Sequence, residues 1–302
     1  MKFSIITPVY NSEKYITETI KSILQQKGDF EIEYIIVDGA STDKTIEIIK
    51  SYATRLNTEQ YPIYCKKVTL QWFSEKDRGM YDAVEKGFAR ATGDVMAYIN
   101  ADDKYLPEAF AFVTSILTHH HDIEWVKGIN TTSDEKGDIV AQGSCFLYQQ
   151  DWLQKGIYGR NAYFVQQDSV FWRRSLWEKA RPSISSLRLA GDYALWTAFA
   201  ACAPLWSFNK RVSIFRERAG QLSGIMEGPY RQEQEVIVPR NFFLEKRIMS
   251  FFLLVRFLKL APKHTIARTL FFILFPFHKQ QWYIDFDIHG TPVKKKALSY
   301  IV

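Results

Sequence analysis

DVMAYINADDKYLP, residues 94–107, runs an apolar, strand-like segment directly into two adjacent carboxylates, Asp102 and Asp103, and then toward a helix-like stretch. The residues before it repeat one alternation. FSIITPVY (3–10) reads as a β-branched strand, followed by a helix through EKYITETIKSILQQ with Ser12 as its N-cap. EIEYIIVDG (31–39) is a second strand, with a helix from about Asp43 to Arg55. TLQWFSE (69–75) is a third, with a helix across MYDAVEKGFARA (80–91), and DVMAYIN (94–100) is the fourth. Strands alternating with helices of this length imply right-handed crossovers and a mainly parallel α/β sheet.

In such a sheet, ligands bind beyond the carboxyl ends of the strands. Those ends carry Thr7, Pro8 and Tyr10, then Asp38, then Glu75 and Asp77, then Asp102 and Asp103. Several carboxylates in one crevice repel each other unless a cation or hydrogen-bond donors offset the charge. Asp102 and Asp103 therefore read as oxygen ligands for a hard divalent ion, Mg2+ or Mn2+, which commonly bridges carboxylates to phosphate oxygens. A lone Asp–Asp pair ahead of a helix, with Pro107 in its first turn, would read as a cap; acids from separate strands shift the balance toward a metal.

Composition supports a folded protein. The chain has 302 residues, 47% of them hydrophobic and 24% charged, enough for one large domain or two. The three cysteines, Cys65, Cys145 and Cys202, are odd in number and too scattered for a metal knuckle, which suits a reducing compartment. MKFSIITPVYN lacks the apolar core and cleavage site of a signal peptide, so a cytoplasmic location is expected. The net charge of +6 comes without a nucleic-acid-binding motif, and nucleic acid is not an expected partner. No GxxxxGK loop and no Ser-His-Asp or Cys-His arrangement is present. The run His119, His120 and His121 has no acids in phase and reads as a helix terminus, while Trp152, Trp172, Trp177 and Trp196 read first as core.

SIITPVYN (4–11), VDGASTDKT (37–45), SEKDRGMYDAVEKGFARATGDVMAYINADD (74–103) and AGDYALW (190–196) together resemble family 2 glycosyltransferases of the GT-A fold, over about residues 3–220. The resemblance implies inverting transfer of a sugar from a nucleotide donor, commonly a UDP-sugar. It implies nucleotide contacts at Thr7, Pro8, Tyr10, Asp38, Asp77, Gly79 and Asp102, metal ligation at Asp102 and Asp103, and a catalytic base at Asp192. Such a base takes the proton of the attacking acceptor hydroxyl, and no protein nucleophile is needed. Gln167 and Arg173 of QQDSVFWRRSLW, and Arg216 and Arg218 of VSIFRERAGQLSG, become candidates for acceptor or phosphate contacts. Three departures stand out. Gly39 replaces a second acid carried by many relatives, Asn100 occupies the first position of the metal motif, and Glu85 replaces an Asn and is expected to face solvent.

Beyond residue 224 these motifs stop, so the expected division is a catalytic domain over 1–224 and a helical, basic-amphipathic region over 225–302. Arg256, Lys259 and Lys263 form a basic stripe beside Phe252, Leu253, Val255 and Leu260, and Pro262 and Pro276 divide the region into two helices. No run reaches the length of a spanning helix, so an in-plane helix on the inner face of the membrane is expected. The competing reading packs these helices on the catalytic domain or on a second copy, as a homo-oligomer. A membrane-docked transferase implies a lipid-linked saccharide acceptor in surface polysaccharide synthesis. Direct transfer to polyprenyl phosphate and a non-catalytic nucleotide-sugar-binding scaffold are the alternatives.

Overall fold

The structure, a computed structural model, describes residues 1–160, 164–221, 228–257 and 281–297, with positions 266, 269, 273 and 274. Strands β1 (Lys2–Val9), β2 (Gly28–Asp38), β3 (Cys65–Ser74) and β4 (Val95–Tyr98) are mutually parallel in the order β3-β2-β1-β4. Helices α1 (Ile16–Leu24), α2 (Thr45–Asn57) and α3 (Met80–Phe88) make the crossovers. The central strands are buried on both faces: Phe3, Ile5 and Ile6 on β1 and Ile32 to Val37 on β2 are closed to solvent. Helix α1 lays Ile16, Ile20, Ile23 and Leu24 on the sheet, an amphipathic stripe at helical spacing. Ser12 does not cap it: the helix begins after Tyr15, and only the Ser12 carbonyl accepts, from Tyr15 and Ile16 N–H.

From β1 the chain moves outward through β2 and β3, then α3 returns it to lay β4 against the other side of β1. The direction of winding thus reverses between β1 and β4, and a crevice opens at their carboxyl ends.

The sheet continues with mixed polarity as β4-β8-β6-β9-β10-β11. These strands are β6 (Trp125–Ser133), β8 (Val170–Arg173), β9 (Trp206–Arg216), β10 (Trp282–Phe286) and β11 (Pro292–Lys296); β5 (Lys104–Tyr105) pairs with β9 and β7 (Ile139–Gln142) with β6. Helices α4 (Ala109–His119), α5 (Gln150–Gln154), α6 (Arg174–Ala180) and α7 (Gly191–Cys202) flank them. Trp125, Trp152, Trp172 and Trp196 are buried, as core residues rather than sugar platforms.

The region after 225 is only partly helical. It supplies α8 (Pro229–Ile237) and α9 (Phe242–Phe257), then β10 and β11, which extend the central sheet, Ile284 pairing in parallel with Phe208 of β9. The lysines 294–296 therefore belong to a strand. Helix α9 buries Glu245, Ile248 and Phe251 and exposes Phe242, Phe243, Leu253, Leu254 and Phe257. The basic stripe of Arg256, Lys259 and Lys263, with Phe252, Val255, Leu260, Pro262 and Pro276, lies outside the residues whose side chains are described. Among the described residues, no helix is long and apolar enough to cross a membrane.

Candidate active site

A cavity of about 1060 Å3 occupies the crevice at the reversal point. Pro8, Val9 and Tyr10 line it from the end of β1, Asn100, Ala101 and Asp102 from the end of β4, and Asp77, Gly79 and Tyr81 from the start of α3. Gln167, Asp192, Arg218 and Tyr230 complete it from the later half of the chain.

The two acids of the β4 tip part company. Asp102 belongs to the cavity, and its Oδ2 accepts from Arg218 Nε at 2.6 Å. Asp103 turns inward and is 1% exposed. Its Oδ1 accepts the Arg216 backbone N–H at 2.9 Å, and its Oδ2 accepts from Asn100 Nδ2 and Gln167 Nε2, each at 3.3 Å. Burial, then the charges of Asp102 and Asp168, hold its carboxyl well above the usual range. Both lie in the turn after β4, where their side chains diverge and Asp102 is the one that lines the cavity. Asn100, which the sequence reading set aside, is on the cavity side with Asp102, and its Oδ1 is buried without a hydrogen-bond partner.

Four expected nucleotide or phosphate contacts are engaged elsewhere. Asp38 is fully buried and accepts from Ser41 N–H at 3.0 Å, Ser41 Oγ at 2.5 Å and Ser74 Oγ at 2.6 Å, closing the β2–α2 turn. Thr7 is buried in the sheet, where its Oγ1 accepts from Tyr34 Oη at 3.1 Å. Arg173 donates to the carbonyls of Ile123 at 2.8 Å, Leu117 at 2.6 Å and His120 at 3.3 Å, satisfying the end of α4. Arg216 is likewise a fastening: its guanidinium reaches Glu18, the Asp102 carbonyl and the Glu135 carbonyl. Glu85 does not face solvent; its Oε2 accepts the N–H groups of Ile184 and Ser185, both at 2.8 Å.

Asp77 stands at the cavity with Gly79 N–H donating to its Oδ1 at 3.0 Å. Gly79, at φ +136, supplies the backbone turn that lets α3 start there. Burial, then the charges of Asp82 and Asp38, raises the Asp77 carboxyl. Gly39 is what makes room for it, since a Cβ at 39 would lie 2.6 Å from Asp77 Oδ2.

Asp192 sits in the first turn of α7 and accepts the Tyr193 N–H at 2.7 Å. Burial pushes its carboxyl up to about 7, with that N–H and the Tyr81 phenol opposing the rise. Tyr98 and Tyr230 line the same cavity. So does Arg160, whose Nη1 forms a buried ion pair with Glu245 of α9 at 2.9 Å. Sequence reading missed these residues. Tyr98 had a signal, since it ends β4 just two positions before Asn100 of the motif; Arg160 and Tyr230 had none.

The family model for glycosyl transferase family 2 matches residues 4–179. The poly(ribitol-phosphate) β-N-acetylglucosaminyltransferase TarS of Staphylococcus aureus is 33% identical over 139 residues, 43% of this chain and 22% of that protein. A PGL/p-HBAD biosynthesis glycosyltransferase of Mycobacterium bovis is 28% identical over 194 residues, 63% of this chain and 66% of its own length. The chain thus spans about a fifth of the former and about two thirds of the latter. The crystal structure of S. aureus TarS 1–349 in complex with UDP-GlcNAc superposes with a TM-score of 0.58 at 21% identity, covering 91% of this chain and 76% of that one. The mannosyltransferase PcManGT of Pyrobaculum calidifontis, in complex with GDP-Man and Mn2+, gives a TM-score of 0.51 at 18% identity over 74% and 59% of the two chains. With more than half of its length under the family match and its sheet arranged as in these structures, the chain belongs to glycosyl transferase family 2 and has the GT-A fold.

Proposed function

We propose that the protein is an inverting glycosyltransferase that moves a sugar from a UDP-linked donor to a hydroxyl of a saccharide or polyol acceptor in surface-polysaccharide synthesis. One observation carries the reading: Asp192, with its raised affinity for a proton, and Asp102, at the family's metal motif, line the same cavity. A base poised near neutrality is matched to taking a proton from an attacking alcohol. Pro8, Tyr10, Asp77 and Gly79 form the end of the cavity that would receive the nucleotide.

The oxygens present suit a divalent ion. Asp102 offers a carboxylate, and Asn100 Oδ1 beside it is an orphaned acceptor, a hard-oxygen pair of the kind Mg2+ and Mn2+ take. Asn100 and Asp102 are the residues that would hold such an ion; among the described residues no group of three or more His, Cys, Asp or Glu could hold one. An ion held there would supply positive charge toward a departing nucleoside diphosphate. Arg218, already on Asp102, adds a second positive charge at that end.

The acceptor reading rests on the similarity to TarS, and a lipid-linked acceptor on α9. Its exposed Phe242, Phe243, Leu253, Leu254 and Phe257 support peripheral attachment to the inner leaflet, as apolar side chains of an in-plane helix would.

A panel of UDP-sugars assayed for hydrolysis with and without Mn2+ tests the proposal. One donor should turn over in a metal-stimulated way, and Asp192→Asn should abolish that turnover. Turnover of none of them, or an undiminished Asp192→Asn enzyme, rejects it.

A further inference from the structure

Helix α7 carries Asp192 in its first turn, and its N-cap residue, Ala190, has no side-chain oxygen to fix the entry of the chain. The three residues leading in turn their amides to one carboxylate of another element. Glu233 Oε1 accepts the Arg188 N–H at 3.0 Å, and its Oε2 accepts those of Leu189 at 2.9 Å and Ala190 at 2.8 Å. Successive amides converging on an anion form a nest, and hydrogen bonds to an ionised acceptor are the stronger kind. Glu233 lies on α8, 43 residues beyond Ala190. Helix α8 is itself fastened: Gln234 Nε2 donates to the Gly159 carbonyl at 3.2 Å, and Arg160 Nη2 donates to the Gln234 carbonyl at 3.1 Å. The same helix lays Tyr230 against Ala190 and Tyr193. One residue past the nest, Gly191 is pressed on the Tyr81 ring, and the next residue is Asp192.

We propose that Glu233 is a positioning residue for the transfer: its carboxylate fixes the bend 188–190, and so sets where α7 starts and where Asp192 meets the acceptor hydroxyl. This role rests on the proposed reading of Asp192 as the base. Among the described residues, α8 lends Tyr230 to the cavity lining, and Glu233 stands behind it. The start of α7 is thus held between two stops, the nest and the Tyr81 ring, and without the carboxylate only the ring remains. A reacting group misplaced by about 1 Å loses on the order of 10^2 in rate. The nucleotide end, formed by Pro8, Tyr10, Asp77 and Gly79, has no part in this bend and keeps its shape. The side chains around Asp192 are phenols: Tyr81 from α3, Tyr98 from β4, Tyr193 from α7 and Tyr230 from α8, all held above their ordinary range by burial. Arg160, over the Tyr193 ring, is paired with Glu245. Near pH 7 the group that titrates at this end is therefore Asp192, and the acid limb of the rate reports its surroundings.

The test compares wild type with Glu233→Ala and Glu233→Gln, using the UDP-sugar that the protein hydrolyses fastest. Glu233→Ala should lower kcat by about 10- to 100-fold, with KM for the donor and the Kd of UDP in Mn2+ held within about twofold. Its acid limb should move from about 7 toward the ordinary carboxylate range, because a loosened α7 start admits water to Asp192. Glu233→Gln keeps the length of the side chain and one accepting oxygen, which protects the fold. It should lose about three- to tenfold in kcat and shift its limb the same way. An unchanged kcat in either folded variant, a loss of UDP binding as large as the loss of kcat, or an acid limb that stays where it is in wild type overturns the inference. A merely structural contact would lower the melting temperature and leave kcat and the limb alone. Asp192→Asn separates the two failures. If it keeps turnover, the base assignment is lost and Glu233's role with it; if it loses turnover while the Glu233 variants keep theirs, only Glu233's role is lost.

Discussion

A Cβ placed on Gly191 would lie 2.4 Å from the ring of Tyr81, so α7 begins with its backbone pressed against that tyrosine. The next residue is Asp192, and the close approach sets where its carboxylate enters the cavity. Gly191→Ala should lower stability by about 1–3 kcal/mol through overpacking, and turnover more than tenfold through displacement of the base. Scanning calorimetry and kcat on the same preparation check both.

Asp192→Asn should reduce kcat by a factor of about 10^2–10^4 while UDP still binds. The wild-type rate should fall as pH drops through about 7, where Asp192 takes up its proton. The stability sign is opposite to that of a salt-bridged acid. The folded carboxyl holds its proton up to about 7 and the unfolded one only to about 3.9, so folding loses stability as pH rises between those values. The Asn variant should therefore melt higher than wild type at pH 8 and level with it at pH 4. Equal melting points at pH 8 would contradict a buried, proton-retaining Asp192.

Asp102 and Asp103 should separate cleanly. Asp102→Ala should fold normally and lose at least tenfold in Mn2+-dependent UDP affinity by calorimetry. Asp103→Ala strands the Arg216 N–H and the Gln167 amide, at a cost of about 1–3 kcal/mol in stability. The opposite pattern would place Asp103, not Asp102, at the ligand.

Glu33 ties the first two strands to the turn before β4, accepting from Lys2 Nζ at 2.8 Å, Thr92 N–H at 2.7 Å, Thr92 Oγ1 at 2.6 Å and the Ser4 hydroxyl. Burial raises its proton affinity, but these donors outweigh burial and hold the carboxyl down at about 2. Its contribution, on the order of 2–3 kcal/mol, is present above the ordinary glutamate range near 4.5 and is lost as pH falls toward 2. Glu33→Gln should destabilise at pH 7 and progressively less on acidification. A deficit independent of pH would show that shape, not charge, matters there.

The parallel half of the sheet was legible because its strands are buried on both faces and its helices keep one apolar stripe, so period alone reveals them. Legibility failed where a side chain's role depends on which way it turns. Asp38 and Asp103 end strands as ligand-facing acids do, yet local donors from Ser41, Ser74, Gln167 and the Arg216 backbone turn them inward. Arg173 resembled a phosphate contact and instead meets the Leu117 carbonyl of α4 and the Ile123 and His120 carbonyls just after it. The strands β10 and β11 escaped notice because WYIDF and PVKKK are short, and one is basic, with no periodicity to set them apart from the apolar segment before them.

That late pair of strands makes the catalytic half dependent on the chain's final stretch. Ile284 seals the flank of β9 at Phe208, and β9 itself ends in Arg216, whose backbone holds Asp103 in place. Cutting the chain at 280 would strip this selvedge and uncover β9 around Phe208, where another strand could pair. Size-exclusion chromatography of the shortened chain should therefore show more self-association than the full one.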